Sequence, residues 1–275
     1  MNKVNEFVLL DGELYKSLEY EDILGKGKAL YEVLKVKNSV PLFLERHLER
    51  LHNSSKLTGL KIWISDNYIK ESLYKLIKSN NVEEGSLKFV LNFQKNKFLV
   101  FFEDKSFPTI ENYNSGVKVA FYSRERCNPN AKVLNMEFRK DLDKFIKENE
   151  IFEGILLDKN NDITEGSKSN VFIIKDNMLY TTPVKEVLPG TTRSIVFDIC
   201  KELEISIIEK KTNKNEINNI QGMFISSTPF DILPVSQLEG KNLYSSHNQI
   251  IQNIMNKYND KVERYIRENS LCWNI

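Results

Sequence analysis

The stretch DITEGSKSNVFIIKDNMLYTTP, residues 162–183, puts a carboxylate, several hydroxyls and an amide at the head of a strongly apolar run. The run VFIIKDNMLYTTP reads as a buried strand, with a turn at Lys175–Asn177. Its polar head therefore needs partners wherever the sheet buries it. Glu165 is the sharpest case. After the turn residues Asn161 and Asp162 it reads, on local grounds, as a turn carboxylate in water. Gly166, Ser167, Ser169 and Asn170 also supply small groups and donors that would orient a carboxylate inward, as the counter-ion of something positive.

The rest of the chain alternates strands and helices. FVLLDGEL is a strand and turn, and YEVLKVKNSVPLF is a hairpin about Lys37–Asn38–Ser39. LERHLERLHNSSKLTG has helical spacing, with Leu44, Leu48 and Leu51 on one face. DNYIKESLYKLIKSNN is a second helix, and SLKFVLNFQKNKFLVFFED is two strands joined at Gln94–Asn96. The pattern dissolves in KSFPTIENYNSG, which reads as a linker. Beyond it come the strand VKVAFYS, an amphipathic helix from about Met136 to Asn149, and the strand FEGILLD. LPGTTRSIVFDICKEL follows as a helix, GMFISSTPFDILPV as one buried strand, and QIIQNIMNKYNDKVERYI as a closing helix. The expectation is a two-part α/β or α+β chain with mixed sheets, divided into residues 1–115 and 116–275.

Composition narrows the function. Lys plus Arg (39) nearly balances Asp plus Glu (38), so no bulk attraction to nucleic acid or anionic membrane is expected. No apolar run suits a membrane span or a signal peptide. Cys127, Cys200 and Cys272 are scattered as reduced thiols would be, and His47, His52 and His247 form no metal-ligand spacing, so neither disulfides nor a metal are expected. The expected location is the cytoplasm.

Individual residues suggest chemistry. Lys132, among Ala131, Val133 and Leu134, is either a surface lysine or an amine nucleophile of the Schiff-base type. Arg50 is either an exposed helix arginine or an anion ligand. LPGTTR places Gly190, Thr191 and Thr192 at a helix start, which suits either a simple N-cap or a phosphate. ISSTPF adds Ser226, Ser227 and Thr228 at the end of a strand. His47 and His52, five apart, fall on different faces and read as structural. One lysine, one carboxylate and three anion-friendly elements point toward a phosphorylated aldehyde cofactor, whose protonated ring nitrogen Glu165 would stabilise.

YEVLKV, LERHLERLHNSS, AKVLN, ITEGSKSNVFIIKDNMLYTTP, LPGTTR and MFISSTPFDILPV occur in the order seen in the fold-type IV pyridoxal phosphate enzymes. The chain resembles that family over nearly its whole length, and TEGSKSNVF is closest to the D-amino acid aminotransferase version. The resemblance implies a two-domain fold with pyridoxal 5'-phosphate between the domains, and a homodimer. It implies Lys132 as the catalytic amine, Glu165 at the ring nitrogen, Arg50 at the phosphate with Thr191, Thr192, Ser227 and Thr228, and Leu188 behind the ring. Tyr31 matches an active-site tyrosine, and Val33 lies two residues on. The implied activity is ping-pong exchange of an amino group between an amino acid, of the D- or branched-chain type, and a 2-oxo acid. The alternatives are the related 4-amino-4-deoxychorismate lyase, whose members often carry threonine at the place of Val33, and a cofactor-binding homologue impaired in catalysis. One departure bears on substrate. The Arg-x-His segment that grips the substrate carboxylate in D-amino acid aminotransferases is missing from LKFVLNFQKNKFLVFF, where Lys88, Lys95 and Lys97 are the available cations. The G-D-G usual before Tyr31 is also altered, to GKGKAL.

Overall fold

The computed structural model describes residues 6–16, 20–25, 28–104, 107–126 and 128–270. Cys127, Cys272 and the Lys26–Gly27 part of GKGKAL lie outside the described residues. The chain forms two compact units, one of residues 1–106, 131–136 and 261–275, the other of residues 107–130 and 137–260. This division has two returns to the first unit that a single boundary at 115/116 does not contain. One of them carries Lys132.

The first unit is built on hairpins. β1 (Phe7–Leu10) and β2 (Glu13–Lys16) join through Asp11 and Gly12, both at positive φ, the two-residue turn that matches strand twist. After α1 (Glu21–Gly25), β3 (Ala29–Lys37) turns through Asn38 and Ser39, again at positive φ, into β4 (Val40–Pro41). Helices α2 (Leu44–Thr58) and α3 (Asp66–Asn80) follow, then β5 (Gly85–Asn92) and β6 (Lys97–Glu103). The six-stranded sheet has the order β2-β1-β6-β5-β3-β4. Its alternation decides which residues reach the core. Leu30, Leu34, Leu87, Phe89, Phe98 and Val100 pack with Leu48, Leu51, Leu73 and Leu76 of α2 and α3. Tyr31, Val90, Leu99 and Phe101 belong to a separate cluster on the other face.

In the second unit the expected linker holds a short helix, α4 (Ile110–Ser115), because Thr109 and Asn112 form a reciprocal capping box. Then come β7 (Val117–Ser123), α5 (Met136–Glu148), β8 (Glu153–Leu157), β9 (Asp162–Gly166), β10 (Asn170–Lys175) and β11 (Met178–Thr181). Helix α6 (Thr191–Glu202) precedes β12 (Ile207–Glu209) and β13 (Thr212–Asn213). GMFISSTPFDILPV is two strands, not one: β14 (Gly222–Ser227) and β15 (Asp231–Leu238) pair antiparallel about a turn at Thr228–Phe230. Asp231 takes a positive φ there, a bend that an apolar run does not advertise. β16 (Lys241–Asn242) pairs with β15, and α7 (Gln249–Asn269) closes the chain. The ten-stranded sheet runs β12-β11-β10-β14-β15-β7-β8-β9-β13, with β16 off this path. Phe172 and Phe224 stack across β10 and β14 with centroids 4.7 Å apart.

Candidate functional site

In the first unit, strand alternation sends Tyr31 and Val33 to one face of β3 and Glu32 to the other. Glu32 is fully buried, so its charge needs partners. Helix α2 supplies them from positions three apart on one face. Arg50 Nε donates to Glu32 Oε1 at 2.9 Å and Nη2 to Oε2 at 2.5 Å, while His47 Nδ1 lies 2.8 Å from Oε2. Burial alone would raise the Glu32 carboxyl, but the charge and hydrogen bonds of Arg50, with His47, more than offset it and hold the pKa at about 2. Burial pushes His47 below its usual value, against the pull of Glu32. Arg50 is thus a buried residue rather than an exposed helix arginine, and its guanidinium makes a two-bond pair with Glu32.

Residues 131–134 run beside β3. Tyr31 N donates to Lys132 O at 3.3 Å, Leu134 N to Ala29 O at 3.0 Å, and Lys132 N to the buried Ser54 Oγ at 3.1 Å. The backbone of Lys132 is therefore fixed, and its Nζ stands 4.9 Å from the centre of the Tyr31 ring. Lys132 is half-buried and placed, unlike a solvated surface lysine. Lys88 Nζ also lies 4.9 Å from the Tyr31 ring centre.

The second unit holds the other expected residues. Glu165 is buried, so the reading of a turn residue in water does not hold. Its Oε1 lies 3.0 Å from Arg126 Nε, and its Oε2 accepts from Leu188 N at 3.0 Å. Asn170 Nδ2 donates to Leu188 O at 2.9 Å, so Leu188 is held from both ends of its backbone. Asn170 comes so close to Gly190 that a Cβ there would meet Asn170 Oδ1 at 2.0 Å, so any larger residue would push Asn170 from its place.

The hydroxyls expected to support Glu165 belong to another carboxylate. Ser167 Oγ bonds Glu153, and Ser167 N and Ser169 Oγ reach Glu153 at 3.1 and 3.2 Å. Gly154 N adds a bond at 3.1 Å and Lys168 N one at 3.3 Å. Ser227 Oγ donates to Lys168 O at 2.7 Å, and the Lys168 ammonium pairs outward with Asp143.

The start of α6 joins the two hydroxyl groups: Thr191 Oγ1 and Thr228 Oγ1 are 3.1 Å apart. Gly190, the N-cap residue, supplies no side-chain cap, and no acidic residue stands in the first turn. The first-turn N–H donors and these hydroxyls form a donor set suited to a phosphate. Thr192 hydrogen-bonds Tyr258, whose hydroxyl also meets Asp231 Oδ1 at 3.1 Å. Arg193 turns away, to Thr182 O at 3.1 Å and Glu209 Oε1 at 2.5 Å.

The expected residues thus divide between the units: Tyr31, Val33, Arg50 and Lys132 lie in the first, and Glu165, Leu188, Thr191, Thr192, Ser227 and Thr228 in the second. Glu32 and Arg126 escaped the sequence reading. Glu32 was signalled by a carboxylate within the apolar run of YEVLKV, followed by a helix with His47 and Arg50 three apart. Nothing local marks Arg126. Among the described residues no three His, Cys, Asp or Glu side chains form a group that would hold a metal.

Residues 29–238 match the family described as amino-transferase class IV. The D-alanine aminotransferase of Bacillus licheniformis is 27% identical over 234 residues, 80% of this chain and 82% of that protein. The fold is that of the branched-chain aminotransferase from the thermophilic archaeon Thermoproteus uzoniensis, solved with norvaline, with TM-score 0.82, 22% identity, and 96% of this chain and 98% of that one covered. It is also that of a Legionella pneumophila protein named as a candidate 4-amino-4-deoxychorismate lyase, with TM-score 0.77, 23% identity, and 90% of this chain and 96% of that one covered.

Proposed function

This chain belongs to the class IV aminotransferases, and from that premise we propose that it exchanges an amino group between an amino acid, of the D- or branched-chain type, and a 2-oxo acid, using pyridoxal 5'-phosphate. The observation that carries the proposal is Lys132, a lysine pinned by its backbone to β3 and Ser54 with its amine over Tyr31.

The donor set of each unit fits the cofactor. Lys132 would hold its aldehyde carbon, and Arg50 its phosphate, together with the α6 N-terminus, Thr191, Thr192, Ser227 and Thr228. Glu165 would meet the ring nitrogen, and Leu188 would pack behind the ring. When bound, the cofactor supplies an electrophilic carbon for amines and a protonated ring that withdraws electrons from the α-carbon. The chain's own residues then do the following. Once the substrate amine displaces it from the aldehyde carbon, Lys132 Nζ would be free to take the proton from the substrate α-carbon and deliver it to the carbon on the far side of the nitrogen, its short reach set by the fixed backbone. Arg126 and the Leu188 N–H orient the Glu165 carboxylate, so that it need not reorganise as charge develops. The Glu32–His47 pair holds the Arg50 guanidinium in one orientation from behind. Tyr31 gives Lys132 an aromatic face to stand on, and Val33 lies on the same side of the strand. The proposal places the enzyme in the cytoplasm as a homodimer, which cell fractionation and sedimentation equilibrium check.

The test is to load the purified protein with pyridoxal phosphate and supply D- and L-amino acids with 2-oxoglutarate, with aminodeoxychorismate in parallel. Amine transfer that Lys132→Ala abolishes is the expected result. Release of 4-aminobenzoate without amine transfer would replace the reading by the lyase. No reaction with either, in a protein that still takes up the cofactor, would leave a binding protein impaired in catalysis.

A further inference from the structure

We infer that Lys88 is the group that takes the substrate's α-carboxylate, in place of an arginine or histidine; this rests on the aminotransferase reading above. Three cations lie on the β5–β6 hairpin. Lys97 pairs with Asp11 at 2.6 Å on an exposed end, and Lys95 is exposed in the turn. Lys88 is different. It sits in mid-strand, 9% exposed, directly opposite Val33 on β3 and Phe101 on β6. Register puts its side chain on the face that carries Tyr31 and Val33, away from the leucine core on the helix side.

Its surroundings are those of a cation kept for an anion. The ammonium lies 4.9 Å from the Tyr31 ring centre and 5.8 Å from that of Phe101. Lys132 Nζ stands at the same 4.9 Å from the Tyr31 ring, so the two amines are at most twice that distance apart. Lys88 on β5 and Lys132 beside β3 approach the Tyr31 ring from opposite neighbours, so a substrate reacting beside Lys132 would offer its carboxylate to Lys88 by laying it across that ring. The protein carboxylate nearest Lys88 meets it loosely: Glu103 Oε1 lies 3.4 Å away, against about 2.7–2.9 Å for a full charge-assisted bond. An ammonium has three donors, and two aromatic faces with one long ion pair satisfy a buried charge only in part. A substrate carboxylate completes the set, with the Tyr31 ring bridging the anchor and the reacting amine.

The experiment compares wild type, Lys88→Met, Lys88→Arg and Glu103→Gln as holoenzymes of equal cofactor content. Calorimetry measures the binding of isovalerate, a carboxylate without an amino group. Kinetics measures the preference for leucine over 3-methylbutylamine, the same skeleton without the carboxylate. For Lys88→Met the expected results are isovalerate binding weakened about 10- to 100-fold and the amino acid preference reduced by a similar factor, the size of one charge-assisted bond. Lys88→Arg should recover most of both. Glu103→Gln, which removes the competing anion, should tighten isovalerate, and this arm decides the matter if Lys88→Met does not fold. Isovalerate binding within about twofold of wild type in either Lys88→Met or Glu103→Gln would overturn the assignment, that margin being well below one such bond. So would a loss confined to dicarboxylic amino acids, which would place Lys88 at a side-chain carboxylate. If wild type transfers no amine from any amino acid yet loses isovalerate on Lys88→Met, the aminotransferase reading fails and the carboxylate site stands.

Discussion

Glu153 and Glu165 are both buried carboxylates of one sheet, on the paired strands β8 and β9, but they are furnished differently. Glu153 collects the Ser167 and Ser169 hydroxyls and the N–H groups of Gly154, Ser167 and Lys168. All of these are neutral donors of neighbouring backbone and side chains, which is how a fold satisfies a charge it keeps for its own architecture. Glu165 meets a guanidinium and the N–H of Leu188. It is the one of the two tied to the segment that leads into the α6 N-terminus. Burial alone thus does not separate the two carboxylates; the elements that their partners belong to do.

Substitution separates the two. Glu165→Ala should retain cofactor and fold but lose about 10²- to 10³-fold in kcat, the scale of removing one oriented electrostatic group. A parallel loss of melting temperature and activity would make Glu165 a second Glu153. Glu153→Ala should act in the opposite way. It strands several buried donors and should cost about 2–4 kcal/mol in denaturant unfolding, while the folded fraction keeps most of its turnover. A stable Glu153→Ala protein with abolished turnover would erase the distinction.

Glu32, the buried carboxylate of the first unit, extends the comparison through pH. Its folded pKa, about 2, lies below the ordinary 4.5. It therefore binds fewer protons when folded, and its contribution is present above pH 4.5 and lost as pH falls toward 2. His47, also depressed on folding, works in the same direction below its ordinary 6.5. Unfolding followed across this range should show stability falling with acid in two stretches. Glu32→Gln should flatten the lower one, at a cost of about 3–5 kcal/mol near neutrality, because Arg50 is left buried without its counter-ion. A variant with an unchanged acid limb would mean that the pair contributes nothing to it.

Much of the fold was legible because its turns and helix faces are written locally. Asn38–Ser39 and Asp176–Asn177 take the positive φ that such turn residues tolerate, and the leucine stripe of α2 falls on the core. The break inside GMFISSTPFDILPV was not legible, since Phe230 and Ile232 continue the apolar run on both sides of the bend at Asp231. Nor was the return of residues 131–136 to the first unit. That return depends on bonds from Tyr31 to Lys132 and from Leu134 to Ala29, across a separation of about a hundred residues. At the proposed site, motif order names the candidate residues, but it does not say which group owns which donor. Ser167 and Ser169 adjoin Glu165 in sequence and serve Glu153 in space. Arg126 reaches Glu165 by a contact that no spacing rule foretells.

The most direct test is chemical. Holoenzyme reduced with borohydride, digested and read by mass spectrometry should carry the cofactor label on the peptide containing Lys132, and on no other. A label on Lys88, the other amine beside Tyr31, or no label at all in a protein that transfers amines, would contradict the account.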